Sequence, residues 1–212
     1  MTTVRDPAAP ATSALTRAGT GAATRALGTN DPARSPLGSR SRGGLFLTVQ
    51  KRRTVAIVRI AFGLIWAVDA GLKWLPSFAQ HTLLAKLSEV GDGQPAPVHA
   101  WIDSWTRLVA TDPRAFAILL ALAESLIAIG LLTGSLTNAV CSAGAVLSMT
   151  IWTTGEGFGG PYGDGATDVG ASPAYVIAFA LLGVVGAGGA WGFDRWLHSK
   201  LGRMAWLSSR PA

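Results

Sequence analysis

The pattern of hydrophobic and polar positions divides the chain into a long polar beginning and four apolar runs. The runs cover residues 54–74, 115–132, 136–152 and 174–191. The first rises about 30 Å as a helix, which matches the hydrocarbon thickness of a bilayer. The pattern therefore predicts an all-α polytopic membrane protein, a bundle of four transmembrane helices with amphipathic interfacial helices beside it.

Polar residues mark where two of these helices begin. Asp112 is a suitable N-cap, and Pro113 then occupies the first helical position. Ser172 and Pro173 repeat this arrangement before the fourth run. The third run is weaker because it is rich in Ser, Thr, Gly and Ala, and these small residues favour close helix packing in lipid.

Two shorter amphipathic segments lie between the first and second runs. Apolar residues recur at helical spacing over 98–109, with two tryptophans on the apolar side, and a weaker pattern covers 78–87. These helices are expected to lie at the membrane interface or to pack as a small cap on the bundle. The segment 192–212 also has an apolar side and several basic residues, and is predicted to be an amphipathic cytoplasmic segment.

Residues 1–50 show no periodic apolar face. They carry six arginines and only two acidic residues, Asp6 and Asp31. The composition predicts a disordered, basic cytoplasmic tail. An organellar transit peptide shares the arginine-rich, acid-poor composition and is the alternative.

Charge predicts how the bundle is oriented. Nine of the 18 basic residues precede the first run, ending in Lys51, Arg52 and Arg53, whereas the loop 153–172 holds only acidic charges. Basic flanks stay on the cytoplasmic side. Four crossings then place both termini in the cytoplasm. The predicted location is the plasma membrane.

Composition excludes several other classes of protein. Only 14% of residues are charged, against about 25% in soluble domains, and mean hydropathy is +0.35. The net charge of +6 is explained by topology, and with no recognition motif we expect no nucleic-acid partner. One cysteine, Cys141, forms no internal disulfide, and we expect no metal site. All three histidines lie outside the apolar runs, so we expect no haem held between helices.

Arg59 and Glu124 are the candidate intramembrane polar pair. Arg59 lies about 8 Å from the cytoplasmic end of the first run, and Glu124 lies near the middle of the second. An unpaired charge at such depth costs about 3 kcal/mol or more, so we expect the two side chains to pair. The pair is interpreted either as a structural bridge or as a proton-handling or anion-binding group.

A second candidate site lies at the outer face. Asp69 and Lys73 are four residues apart on one helical face. The glycine-rich loop from Glu156 to Gly170 is expected to fold over the mouth of the bundle; Trp152 and Tyr162 would lie near a pocket, with Asp164 and Asp168 at its entrance. The alternative is a passive external linker.

These motifs resemble a known membrane family. Arg59-x-x-x-Gly63, followed by Gly71 and Lys73, resembles the first helix of the DoxX family. Glu124 in an apolar helix, with a glycine six residues later, resembles the second helix.

The loop Gly157–Gly170 resembles the DoxD branch, the membrane subunit of thiosulfate:quinone oxidoreductase. The resemblance covers residues 54–191, within a predicted membrane domain of 51–191, and nothing in it matches the N-terminal tail. It implies a bacterial or archaeal four-helix membrane protein beside a quinone pool, with a partner subunit or a second copy of the chain.

Two functions follow from this resemblance. The first is a subunit of a quinone-linked oxidoreductase that oxidises thiosulfate or another small reduced-sulfur compound, with quinone as the diffusible cofactor and none bound covalently. The second is a non-catalytic scaffold or assembly subunit of a larger membrane complex.

Overall fold

The computed structural model describes residues 42–78, 82–162 and 168–210, with side chains described from residue 50 onward. Residues 1–41 of the predicted tail lie outside this part of the chain. Within it lie seven α-helices and three 3₁₀ segments, with a further short helical stretch at residues 76–78, and no strand occurs. The predicted all-α class is therefore confirmed.

The helices follow one another with short connections. Their bounds are α1 Arg42–Lys73, α2 Leu83–Gly91, α3 Ala96–Ala110, α4 Pro113–Thr133, α5 Thr137–Thr154, α6 Ser172–Val184 and α7 Asp194–Lys200. The 3₁₀ segments are Gly157–Gly159, Ala187–Gly189 and Gly202–Leu207.

Two described helices are long and apolar enough to cross a membrane, namely α1 over Gln50–Lys73 and α4 over Pro113–Thr133. Only 33% and 39% of their most apolar windows are buried within the protein, whereas a core helix of a soluble protein is mostly buried. Their exposed faces carry large apolar side chains, including Val68, Leu126 and Ile129. This surface is suited to contact with lipid.

The other two predicted spans differ from expectation. Helix α5 is 18 residues long, but its many small and hydroxyl-bearing residues keep it less apolar. Helix α6 is apolar but has 13 residues, about 20 Å, and it ends at Val184, so the predicted helical span 174–191 is wrong over residues 185–191. The helix ends because Gly186 adopts φ +64°, a left-handed conformation that starts a 3₁₀ turn.

One hydrophobic core joins α1, α4, α5 and α6. Its buried members include Phe62, Trp66, Ile127, Ala128, Leu131, Cys141, Phe179 and Leu182. The ring of Phe179 on α6 packs edge-to-face against Phe62 at 4.9 Å and Trp66 at 5.1 Å on α1. Gly144 on α5 lets the same ring approach closely, since a Cβ there would lie 2.2 Å from Phe179 Cζ. The four helices therefore pack as one bundle.

The start of α4 and the two amphipathic helices follow the sequence patterns. The Asp112 carboxylate accepts a hydrogen bond from the Ala115 amide at 3.0 Å, so the predicted N-cap is confirmed. Helices α2 and α3 form at the two predicted amphipathic segments. On α3, Ile102 is buried, whereas Trp101 and Leu108 are exposed. This helix therefore packs on the protein and also leaves apolar side chains outside.

Candidate functional site

A cavity of about 630 Å³ opens where α1, α2 and α6 meet the ends of the loop 155–171. We call it the Lys73 cavity. Its apolar and aromatic lining includes Trp66, Phe78, Leu83, Val90, Leu120 and Tyr175. Its charged lining consists of Asp69, Lys73, Lys86 and Glu156. The volume lies within the usual range for small-molecule sites, about 300–1,000 Å³.

Lys73 is the central charge of this cavity. Its Nζ lies 2.7 Å from Asp69 Oδ2 and 2.9 Å from Glu124 Oε2. The Lys73 side chain is 14% exposed, Asp69 is 52% exposed and Glu124 is fully buried. An ammonium group has three N–H donors, so two carboxylate partners leave at least one N–H for another acceptor.

Two buried polar atoms in and next to the cavity have no hydrogen-bond partner in the described part of the chain. They are Glu124 Oε1 and the indole Nε1 of Trp66. Buried polar groups are nearly always hydrogen-bonded, either to protein or to ordered water. The polar groups around the cavity therefore do not satisfy all of one another's hydrogen bonds.

Acidic residues outnumber basic ones among the described residues in and next to the cavity. Lys73 and Lys86 contribute two positive charges, and Asp69, Glu124 and Glu156 contribute three negative ones. Glu156 also accepts hydrogen bonds from the Ser172 amide at 3.2 Å and hydroxyl at 2.9 Å. Ser172 is thus the first residue of α6 and a partner of Glu156, and the prediction that it caps the helix is wrong.

The predicted contact between Arg59 and Glu124 is also wrong. Glu124 pairs with Lys73, whereas the Arg59 guanidinium packs against Gly134, ten residues further along α4. Ten helical residues separate positions by about 15 Å, which two side chains do not bridge. Glu124 lies level with the other end of α1, where Lys73 provides the positive charge.

Arg59 is instead part of a buried polar cluster that we call the Arg59 clamp. Its Nη1 donates to the carbonyl oxygens of Ala187 at 2.8 Å and Ala190 at 3.3 Å, and its Nη2 donates to that of Trp191 at 3.2 Å. These carbonyls follow the end of α6, in a turn where no continuing helix supplies amide donors for them. Gly134 is required here, because a Cβ would lie 2.2 Å from Arg59 Nη1.

Asp194 completes the Arg59 clamp and was not singled out from the sequence. Its carboxylate is fully buried and accepts from the amides of Leu136 at 2.6 Å, Thr137 at 3.0 Å and Ser209 at 2.8 Å. The first two amides open α5, where a negative charge is favoured by the helix dipole. Asp194 is the only acid in the basic segment 192–212, and that exception is the available sequence signal.

The glycine-rich loop is organised mainly by its own contacts. Trp152 Nε1 donates to the Val169 carbonyl at 2.9 Å, and the Tyr162 hydroxyl donates to the Phe158 carbonyl. Asp168 accepts from the Gly170 amide at 2.7 Å. Trp152, Tyr162 and Asp168 do not line the Lys73 cavity, although the two ends of the loop do. Asp164 lies outside the described residues.

Of the predicted outer-face residues, the structure therefore brings Asp69 and Lys73 to the cavity. Trp66 and Tyr175 were missed, although Trp66 lies three and seven residues before these two charges on the same helical face. Tyr175 was missed because it comes from α6, whose position beside α1 depends on tertiary packing. Among the described residues, no group of three or more His, Cys, Asp or Glu side chains is placed to hold a metal ion.

Comparison of the chain with protein-family models, with curated proteins and with solved structures gives no match. The resemblance to the DoxX and DoxD families therefore stays a prediction from the motifs.

Proposed function

We propose that this chain is an integral membrane subunit of a quinone-linked oxidoreductase of DoxX or DoxD type, and that the Lys73 cavity receives the quinone ring. The observation that carries the proposal is the free N–H of Lys73, held by two carboxylates at the wall of a cavity of about 630 Å³. A quinone ring is flat and apolar, with carbonyl oxygens that need donors.

The side chains around the cavity suit this ligand. Trp66 and Tyr175 offer aromatic surfaces to a flat ring. Lys73 donates a charge-assisted hydrogen bond to a ring oxygen, and Glu124 and Asp69 hold its ammonium in place. Asp69 is half exposed and connects Lys73 to water for proton exchange. When bound, a quinone accepts two electrons and two protons, and the electrons come from a donor substrate or a partner subunit.

The charge balance favours a neutral ligand in this cavity. Three carboxylates face two lysines, so the cavity offers no excess of positive charge to attract a dianion such as thiosulfate. We therefore assign oxidation of thiosulfate, or of another small reduced-sulfur donor, to a place outside the Lys73 cavity, such as a partner subunit.

We also propose that α5 crosses the membrane beside α1 and α4, and that a fourth crossing is made by α6 together with the turn after it that Arg59 holds. The protein would then lie in the plasma membrane of a bacterium, with both chain ends in the cytoplasm. Support comes from the shared core of the four helices and from the basic flanks before α1. Reporter fusions at Gly93 and Gly163 should be external, and a fusion after Pro211 should be internal. An external reading for the last fusion would refute this topology.

A scaffold or assembly subunit is the second proposal, favoured by one observation. In the Arg59 clamp, the buried Arg59 attaches the segment after α6 to α1, and the buried Asp194 attaches the C-terminal segment to the start of α5. Such use of charge fixes the arrangement of helices and requires no ligand.

Equilibrium binding of a short-chain quinone to the purified chain in detergent micelles separates the two proposals. Lys73→Met should weaken binding by about tenfold or more, because a hydrogen bond from a charged group contributes about 1.5–3 kcal/mol. Leu83→Trp fills the cavity and leaves the Lys73 ion pairs intact, and it should weaken binding too. Lys51→Met, at the other end of α1, is the control. If neither cavity variant alters binding, or no quinone binds, the scaffold proposal is favoured.

A further inference from the structure

A second cavity, of about 670 Å³, lies at the opposite end of α1 from Lys73. On α1 it is lined by Gln50, Lys51, Arg52, Thr54 and Val55. After α6 it is lined by Val185, Gly186 and Ala190. We call it the basic groove. It does not contribute to the proposed quinone site.

The lining of the basic groove has two chemical parts. Lys51 and Arg52 are exposed, and neither forms an ion pair with a described residue. Val55 and Val185 supply an apolar surface, and Val185 is 55% exposed. Two free cations beside an apolar surface complement a molecule with an anionic head and a hydrocarbon chain.

The position of the basic groove fits such a molecule. The apolar run of α1 begins at Thr54, directly after the basic residues, so Lys51 and Arg52 lie where the helix enters the hydrocarbon region. Basic residues at this level attract anionic headgroups of the cytoplasmic leaflet. The chain's own N-terminal residues are a poor occupant, because residues 1–41 carry five arginines and only two aspartates.

We propose that the basic groove binds one anionic phospholipid of the cytoplasmic leaflet, with its phosphate between Lys51 and Arg52 and an acyl chain along Val55 and Val185. The lipid fills the space left where α6 ends early and the chain turns away at Gly186. The site rests on membrane insertion but not on quinone binding.

The test is a titration of the delipidated, full-length protein with phosphatidylglycerol or phosphatidylcholine, with bound lipids counted by native mass spectrometry. The wild type should retain one phosphatidylglycerol in preference to phosphatidylcholine. The double variant Lys51→Gln/Arg52→Gln should lose about tenfold or more in phosphatidylglycerol affinity. Val185→Trp fills the apolar part without changing charge, and should also weaken binding.

The control is Arg203→Gln/Arg210→Gln, which removes the same charge from residues that do not line the groove. It should change phosphatidylglycerol affinity by less than about twofold. Equal losses in both double variants would show diffuse surface attraction and overturn the proposal. Unchanged affinity in Val185→Trp, or no preference for phosphatidylglycerol in the wild type, would overturn it as well. Circular dichroism confirms that each variant retains its helices.

Discussion

Replacing Lys73 with Met tests the ion pair that joins α1 to α4. Methionine keeps the length of the side chain but leaves the Glu124 carboxylate, which is fully buried, without its partner. Removing one member of a buried pair costs about 3–5 kcal/mol. The Asp69 contact adds little, since Asp69 is 52% exposed and i,i+4 pairs contribute about 0.3–0.5 kcal/mol. We therefore expect a loss of about 3 kcal/mol in the free energy of unfolding.

The partner variants define the expected order of effects. Asp69→Asn should cost less than about 1 kcal/mol. Glu124→Gln should cost about 1 kcal/mol, because Lys73 keeps Asp69 and some contact with water. In Lys73→Met/Glu124→Gln no buried charge is left without a partner, so this double variant should recover most of the Lys73→Met loss.

Equilibrium unfolding in mixed micelles of increasing SDS content, followed by far-UV circular dichroism, measures these differences. Lys86→Met is the matched control, since Lys86 lines the same cavity, is exposed and forms no ion pair with a described residue. If Lys73→Met costs no more than Lys86→Met, or if the double variant shows no recovery, the pair does not hold α1 to α4.

Two further substitutions test the packing of the bundle. Gly144→Ala should destabilise the protein by about 1–3 kcal/mol in the same assay, because the new Cβ would clash with the Phe179 ring. The control Gly71→Ala has open space around it and should stabilise α1 slightly. Equal effects of the two would contradict the close packing of α5 and α6. Asp194→Asn should lower the free energy of unfolding by about 2 kcal/mol, because it weakens three amide hydrogen bonds and the interaction with the α5 dipole. Limited proteolysis should then cleave the segment after residue 192 faster. The control Asp103→Asn, which removes a member of an exposed ion pair, should behave as wild type. An Asp194→Asn protein as resistant as wild type would refute the clamp.

Local patterns in the sequence were enough to predict most of the helices. The start of α4 was predictable because Asp112 and Pro113 act through their immediate neighbours. The end of α6 was less so, because a run of apolar residues continues beyond Val184 and the break depends on the backbone at Gly186. Composition alone does not distinguish a glycine within a helix from one that ends it.

The partners of the buried charges could not be read from the sequence. Arg59 and Glu124 are both buried, as expected for charges within long apolar helices. Which residues they meet depends on the axial offset of α1 against α4. Lys73 and Arg59 are about four helical turns apart on α1, and the apolar pattern alone does not fix which of them lies level with Glu124. Asp194 binds residues 57 and 58 positions away, so no local pattern includes both sides.

In the Lys73 cavity, too, the residues close in sequence were predictable together, and those brought in by tertiary packing were not. Asp69 and Lys73 were predicted together because they are one helical turn apart. Tyr175 and Lys86 join them only through the packing of α6 and α2 against α1.

Photoaffinity labelling with an azidoquinone in native membranes tests the proposed quinone site most directly. Adducts mapped by mass spectrometry should lie on the α1 peptide containing Trp66 and on the α6 peptide containing Tyr175, and an excess of unmodified quinone should suppress them. Adducts confined to residues outside the Lys73 cavity, or adducts that unmodified quinone does not suppress, would contradict the assignment.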